Sequence, residues 1–235
     1  MANYGGILFW RGVFNYYGFL CHCLFIWCRI FLALVYFPPT GHTSTLLTDG
    51  AVLIVGGSSN WRSEVLASCE LFNPSDYSFK IISGLNIPRN KHFAARLPDG
   101  KVLIIGGSAT AAEIGGRYNS VEVYFPDKKQ FNWLETALIK SRFKITNSGD
   151  VLNDVRVVVA GDGKYVEVYD PKQNSFFTAK GTVDKAWMYP TVTKVSEYKI
   201  LITGGYDANM KTTSRAWLYE TSSRELKSLG LLSKQ

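Results

Sequence analysis

Two of the three histidines in this 235-residue chain, His42 and His92, open equivalent segments: His42-Thr43-Ser44-Thr45-Leu46-Leu47 and His92-Phe93-Ala94-Ala95-Arg96-Leu97. Imidazole is the side chain most suited to metal ligation or proton transfer near neutral pH. Two copies at one repeat position would sit at similar radius on neighbouring units, where a shared metal is conceivable. Repetition at a fixed position also suits a framework residue, and that is the expectation here. The same reasoning covers Glu70, Glu122 and Glu167, which recur at one strand position. They are expected to serve the fold, pairing with a neighbouring unit's arginine or backbone. Asp49, Asp99 and Asp150 fall at or near the first turn of their units and are assigned to turn chemistry.

Other chemistry is thinly supported. Cys21-His22-Cys23 lies in an apolar stretch with no acidic residue to build a second shell, so no metal site is expected. Gly161-Asp162-Gly163-Lys164 lacks the Gly-x4-Gly-Lys-Ser/Thr spacing of a phosphate loop and reads as a turn. Cys69 stands alone in its region and reads as a small core residue. No catalytic residue, cofactor or metal ligand is assigned.

The elements that hold these residues form a repeat. Glu70-Leu71-Phe72-Asn73-Pro74 with Phe79 matches Glu122-Val123-Tyr124-Phe125-Pro126 with Phe131, and Glu167-Val168-Tyr169-Asp170-Pro171 with Phe176. A degenerate copy reads Trp217-Leu218-Tyr219 with Leu226. Each copy follows a β-branched run closed by glycine: Val52 to Gly57, Val102 to Gly107, Val157 to Gly161, and Ile200 to Gly205. Such runs read as buried strands ending where the backbone takes positive φ or approaches a neighbour closely. Asp49-Gly50 and Asp99-Gly100 mark hairpin turns before two of them. A period of about 50 residues signals a repeat architecture. Each unit reads as four antiparallel strands, with units at about 38–87, 88–140, 141–185 and 186–235.

The unit resembles the kelch repeat, through the Gly-Gly pair, the Glu-Val-Tyr-Asp-Pro strand and the aromatic after it. Ile87-Pro88-Arg89-Asn90-Lys91-His92 with Asp99-Gly100-Lys101-Val102-Leu103-Ile104 is similar to the bacterial form. The resemblance implies an all-β fold, a kelch-type β-propeller of about four four-stranded blades over residues 38–235. Departures are Pro39 at the arginine position of the first unit, Asp162 after Gly161 in the third, and a fourth unit without Asp-Gly or proline. Kelch propellers usually have six or seven blades. Three arrangements are therefore compatible with four: part of a larger propeller, a compact ring, or a ring built by self-association. Met188-Tyr189-Pro190-Thr191 resembles a segment of galactose- and glyoxal-oxidase propellers. Their copper site needs two histidines and two tyrosines, one cross-linked to a cysteine, and this chain offers only Cys69 in the repeat region.

Residues 1–37 form a hydrophobic N-terminal segment with no Asp or Glu and only Arg11 and Arg29 charged. A spanning helix needs about 20 apolar residues. Arg29 at mid-bilayer would cost about 3 kcal/mol, and windows ending at Arg29 or running from Tyr17 to Phe37 avoid this. A membrane-spanning or signal-anchor segment is expected; the alternatives are apolar strands of a damaged preceding blade, or non-native sequence upstream of a truncated reading frame. Arg11 before the run would place the N-terminus in the cytoplasm and the repeats outside it. Localisation is then membrane-associated or extracytoplasmic, and cytoplasmic if 1–37 is no anchor.

The net charge of +7 is dispersed, without the dense basic patch that nucleic acid requires. Function is expected in the loops that vary between units, Ser58–Ser68, Ser108–Ser120 and Tyr206–Ser214, gathered on one rim. Candidate binding residues are Asn60, Trp61, Arg62, Glu113, Arg117, Tyr118, Tyr206, Asp207 and Asn209. The expected activity is that of a non-catalytic scaffold binding a protein or glycan partner, with self-association possible. The alternative is a relic of a propeller enzyme of the galactose/glyoxal oxidase or sugar-processing type.

Overall fold

A computed structural model describes residues 40–59, 64–110, 115–232. Residues 1–37 lie outside them, and with them the expected membrane segment. No helix among the described residues is long and apolar enough to cross a membrane.

The described chain is all-β. Sheet 1 pairs β1 (Thr43–Leu46), β2 (Val52–Val55), β5 (Cys69–Asn73) and β6 (Ser78–Ile82), with a small hairpin of β3 (Ser58–Ser59) and β4 (Glu64–Val65) inserted. Sheet 2 holds β7 (Phe93–Arg96), β8 (Val102–Ile105), β9 (Val121–Phe125) and β10 (Gln130–Trp133). Sheet 3 holds β11 (Gly149–Val151), β12 (Val157–Val159), β13 (Glu167–Asp170) and β14 (Ser175–Thr178). Sheet 4 holds β15 (Thr191–Ser196), β16 (Lys199–Thr203), β17 (Arg215–Glu220) and β18 (Glu225–Leu231). All four are antiparallel meanders, matching the four sequence units. Their first strands lie beside one another, β1 by β7, β7 by β11 and β11 by β15. Each unit is thus blade-like, with its first strand innermost.

The period-2 pattern of each central strand divides its residues between two sheet faces. Leu53, Val55 and Cys69 of sheet 1 pack on Val102, Ile104, Tyr124 and Phe131 of sheet 2. Leu103, Ile105, Val121 and Val123 on the other face of sheet 2 meet Val157, Val159 and Tyr169. Val158, Val166 and Val168 then meet Ile200, Ile202, Trp217 and Tyr219. The recurrent aromatics pair within a sheet at one geometry: Phe72–Phe79, Tyr124–Phe131 and Tyr169–Phe176 each have ring centroids 5.0 Å apart. The two ends of the stack differ. Ile54 is half-buried where its counterparts Ile104, Val159 and Ile202 are buried, and nearby Ile81 is 77% exposed. The last sheet instead carries a charged mesh, with Lys199 and Lys227 about Glu220 and Lys227 also 3.3 Å from Glu225.

The recurring glutamates fasten the linkers. Glu122 accepts from Asn86 N and Asn86 Nδ2, both at 2.7 Å, and from Arg89 Nε at 3.1 Å. Glu167 accepts from Ile139 N at 2.6 Å, Lys140 N at 3.2 Å and Arg142 Nε at 3.0 Å. The arginine belongs to the same unit, which corrects the expectation of a neighbouring unit's arginine, while the amides of Asn86, Ile139 and Lys140 belong to the preceding unit, as the expectation of a neighbour's backbone has it. Both pairs are fully buried. Arg89 also donates to Gly106 O, Ser120 O and Ser120 Oγ, and Arg142 to Gly161 O and Tyr165 O. In sheet 4 the equivalent positions are Trp187 and Trp217, with ring centroids 6.5 Å apart, so an apolar contact replaces the ion pair. Glu70 has no hydrogen bond or ion pair among the described residues, and burial alone pushes its carboxyl above the ordinary range.

Asp150 corrects a second expectation. Asp49 and Asp99 do cap their turns, accepting from Ala51 N and Lys101 N. Asp150 lies inside β11 instead, and its carboxylate accepts from Lys194 N of β15 at 2.9 Å. The turn acid of the third unit is Asp154, which accepts from Arg156 N, beside Val155 at φ 68°. The turn lacks the Asp-Gly signal that marks the first two.

Removing one partner of a buried ion pair leaves the other charge uncompensated, at a cost of about 3–5 kcal/mol. Glu167→Ala is expected to lower unfolding free energy by that order in urea titration. Replacing Arg142 and Glu167 together by tryptophan, as in sheet 4, should cost less than Glu167→Ala alone. A double variant as unstable as the single one would contradict this account.

Candidate functional site

The three variable loops each connect the second strand of a sheet to its third, so all leave from one end of the array. The linkers between sheets return to that end. His92, which enters from such a linker, is fully buried. Its Nε2 lies 2.8 Å from Thr43 Oγ1 of sheet 1, a partner in the neighbouring unit rather than its own. Burial, then the nearby Arg89 and His42 charges, push its pKa down to about 3. Close packing of this linker explains part of the glycine pattern. A Cβ on Gly107 (φ +92°) would lie 2.9 Å from His92 Cβ, and one on Gly56 would lie 2.4 Å from Arg89 O. His92 is therefore an interior wedge against the paired glycines. Cys69 is buried as expected of a core residue, and burial raises its thiol to about 12.

Of the predicted binding residues, Asn60, Trp61, Arg62 and Glu113 lie outside the described residues. Tyr118 is half-buried, with the Arg89 guanidinium 5.1 Å from its ring centroid. Its backbone joins two units, donating to Gly107 O and accepting from Arg142 N. Arg117 is exposed at the rim, yet its Nη1 reaches Asp162 Oδ1 at 2.8 Å. Tyr206 packs on Tyr189 at 5.9 Å between centroids, and Lys144 Nζ lies 5.2 Å from its centroid. Asp207 is buried, and its carboxylate shapes the third loop by accepting from Asn209 N, Lys211 N and Lys185 Nζ. These bonds hold the loop's conformation. Asn209 is exposed at that loop's tip.

Sequence reasoning missed the linker residues between these loops. Gly41, Lys91, Lys144 and Tyr189 occupy one repeat position, and all four have positive φ, at 70°, 51°, 57° and 50°. Left-handed backbone at a non-glycine residue is uncommon, and a repeated case marks a constrained site. Lys91 N donates to Gly41 O and Tyr189 N to Lys144 O, so these residues tie successive linkers together. Phe143 beside them is buried, and Lys91, Lys144 and Arg117 lie 5.1, 5.6 and 5.8 Å from its ring centroid. The glycine at position 41 was the one sequence signal for this conformation. The rim that results joins tyrosines to cations on a backbone held by cross-unit hydrogen bonds. Gly161-Asp162-Gly163-Lys164 is part of this rim and forms a bend.

No protein-family model matches the chain, and no curated protein matches it. Solved structures do. The chain is similar to YjhT, a kelch-type propeller protein, at 15% identity and a TM-score of 0.64. The fold is propeller-like. The match covers 84% of this chain and 66% of YjhT, so the chain spans slightly less than two thirds of that protein. At this identity the likeness speaks for the fold alone.

A histidine with a depressed folded pKa binds fewer protons folded than unfolded between the two pKa values. For His92 that window runs from its ordinary 6.5 down to about 3. Stability should therefore fall as pH drops through it, by up to about 1.4 kcal/mol per unit. Thermal unfolding between pH 6.5 and 4 checks this, and His92→Gln should flatten that part of the slope. An unchanged slope in the variant would show that His92 does not titrate on unfolding.

Proposed function

We propose that this chain is a non-catalytic interaction scaffold of the kelch-repeat type, binding a protein or glycan through the rim loops that follow the paired-glycine strands. The observation that carries this reading is the rim itself. Tyr118, Tyr206 and Asn209 sit on loops that differ in every unit, above a framework that repeats. Loops carried on a rigid scaffold are where recognition residues concentrate. Tyrosine adds broad contact area at small entropic cost and takes part in polar contacts as well. The histidine and glutamates that could have done chemistry, His92, Glu122 and Glu167, are buried in joints between strands and linkers. That disposition supports a structural role for them and leaves recognition to the rim. The hydrophobic segment 1–37 would tether such a scaffold to a membrane.

The test is a screen of the purified protein against an immobilised glycan array and against cell extract by photo-crosslinking. The comparison is a variant with Tyr118, Tyr206 and Asn209 all changed to alanine. Loss of the central anchors of an interface should weaken any specific signal at least about tenfold. Equal signals from the two proteins would remove the rim as the binding surface.

A further inference from the structure

Asp162 is the one residue of the rim that breaks the repeat in a productive way. It stands where Gly57, Gly107 and Gly205 stand in the other units, and it keeps their left-handed backbone, with φ 50°. Its amide keeps the glycine's bond as well, donating to Trp187 O of the next linker at 2.7 Å, as Gly57 donates to Arg89 O and Gly107 to Arg142 O. The added carboxylate makes two bonds that no glycine can. Oδ2 accepts from Phe143 N, in the linker entering sheet 3, at 2.9 Å. Oδ1 receives Arg117 Nη1, from the variable loop of sheet 2, at 2.8 Å. Asp162 thereby touches segments belonging to three successive units. Its side chain is 4% exposed, against 37% for that of Arg117. A cation at the rim is thus held down by an anion beneath it, and the Arg117 guanidinium lies 5.8 Å from the Phe143 ring centroid. Charge-assisted bonds of this kind are short and directional, and they suit fixing one conformation of a loop.

We propose that Asp162 is a positioning residue for recognition, a latch that fixes the loop of sheet 2 carrying Arg117 and Tyr118 against sheets 3 and 4. The proposal rests on the reading of the rim as the binding surface, which it deepens. The latch sets where Tyr118 is presented, because Tyr118 follows Arg117 directly and its own backbone is pinned between Gly107 and Arg142. A loop ordered before binding loses less entropy on binding. Cutting the latch should therefore loosen the loop without harming the fold. Burial raises the Asp162 carboxyl above its ordinary range, so its charge is not a net support of the folded state.

Asp162→Gly is the informative change. It restores the paired glycine of the other units, suits the positive φ, and removes only the carboxylate. Arg117→Ala cuts the same latch from its exposed end. Hydrogen exchange read on peptides covering Gly115 to Ser120 should speed up about tenfold in each variant. The double variant should exchange no faster than either single one. Unchanged exchange in Arg117→Ala overturns the latch, as does additive loosening in the double variant. Binding of whichever array glycan or crosslinked protein the wild type retains separates this inference from the reading it rests on. Faster exchange in Asp162→Gly with unchanged binding confirms the latch and counts against the rim. Weaker binding with unchanged exchange does the reverse.

Discussion

The buried guanidinium–carboxylate pair at the entry to sheets 2 and 3 is the constraint on which the array depends. A blade-like sheet has a strand geometry of its own, but nothing in that geometry sets its angle to the next sheet. The linker does, and a linker is irregular backbone whose amides need partners once buried. Glu122 and Glu167 supply those partners, and Arg89 and Arg142 neutralise them. The guanidinium's spread of donors then reaches the carbonyls after the second strand, at Gly106 and Gly161. One side chain thus joins linker, second strand and third strand. Such a pair gives small net stability, since desolvation offsets much of the attraction. Its value lies in permitting one arrangement of the linker.

Sheet 4 shows the same joint built by other physics. Trp187 and Trp217 occupy the arginine and glutamate positions and bury aromatic surface in place of charge. The Trp187 indole N–H, which would be costly if left unpaired, donates to Asp184 at 2.8 Å. This unit thus differs from the motif at both members of the pair. The same sheet carries lysine–glutamate contacts about Glu220, whereas Ile81 of the first sheet is exposed.

Recognition, on the reading proposed above, uses what the framework leaves unspecified. The loops after the second strands differ in sequence above a joint that repeats. Asp207 and Asp162 show how individual loops then acquire shape, through carboxylates that collect nearby amides and cations. Asp207 is a binding candidate from its place in the chain, and Asp162 reads as part of a turn. Both are directed inward.

The sequence by itself determined the four-strand unit, its period, and the framework role of Glu122 and Glu167. These follow from local chemistry: β-branched runs closed by glycine, turn residues at fixed offsets, and repetition of a type at one position. It misplaced Asp150, because the third unit's turn uses Asp154 and Val155 with no glycine to announce it. Only the tertiary structure decided which arginine meets which glutamate, that His92 bonds across to Thr43, and that Asp162 gathers three units. Those contacts join residues tens of positions apart, and their partners are fixed by how sheets stack. A residue's own neighbours in the chain carry no record of that stacking, and so the rim became visible only when the linkers were seen side by side.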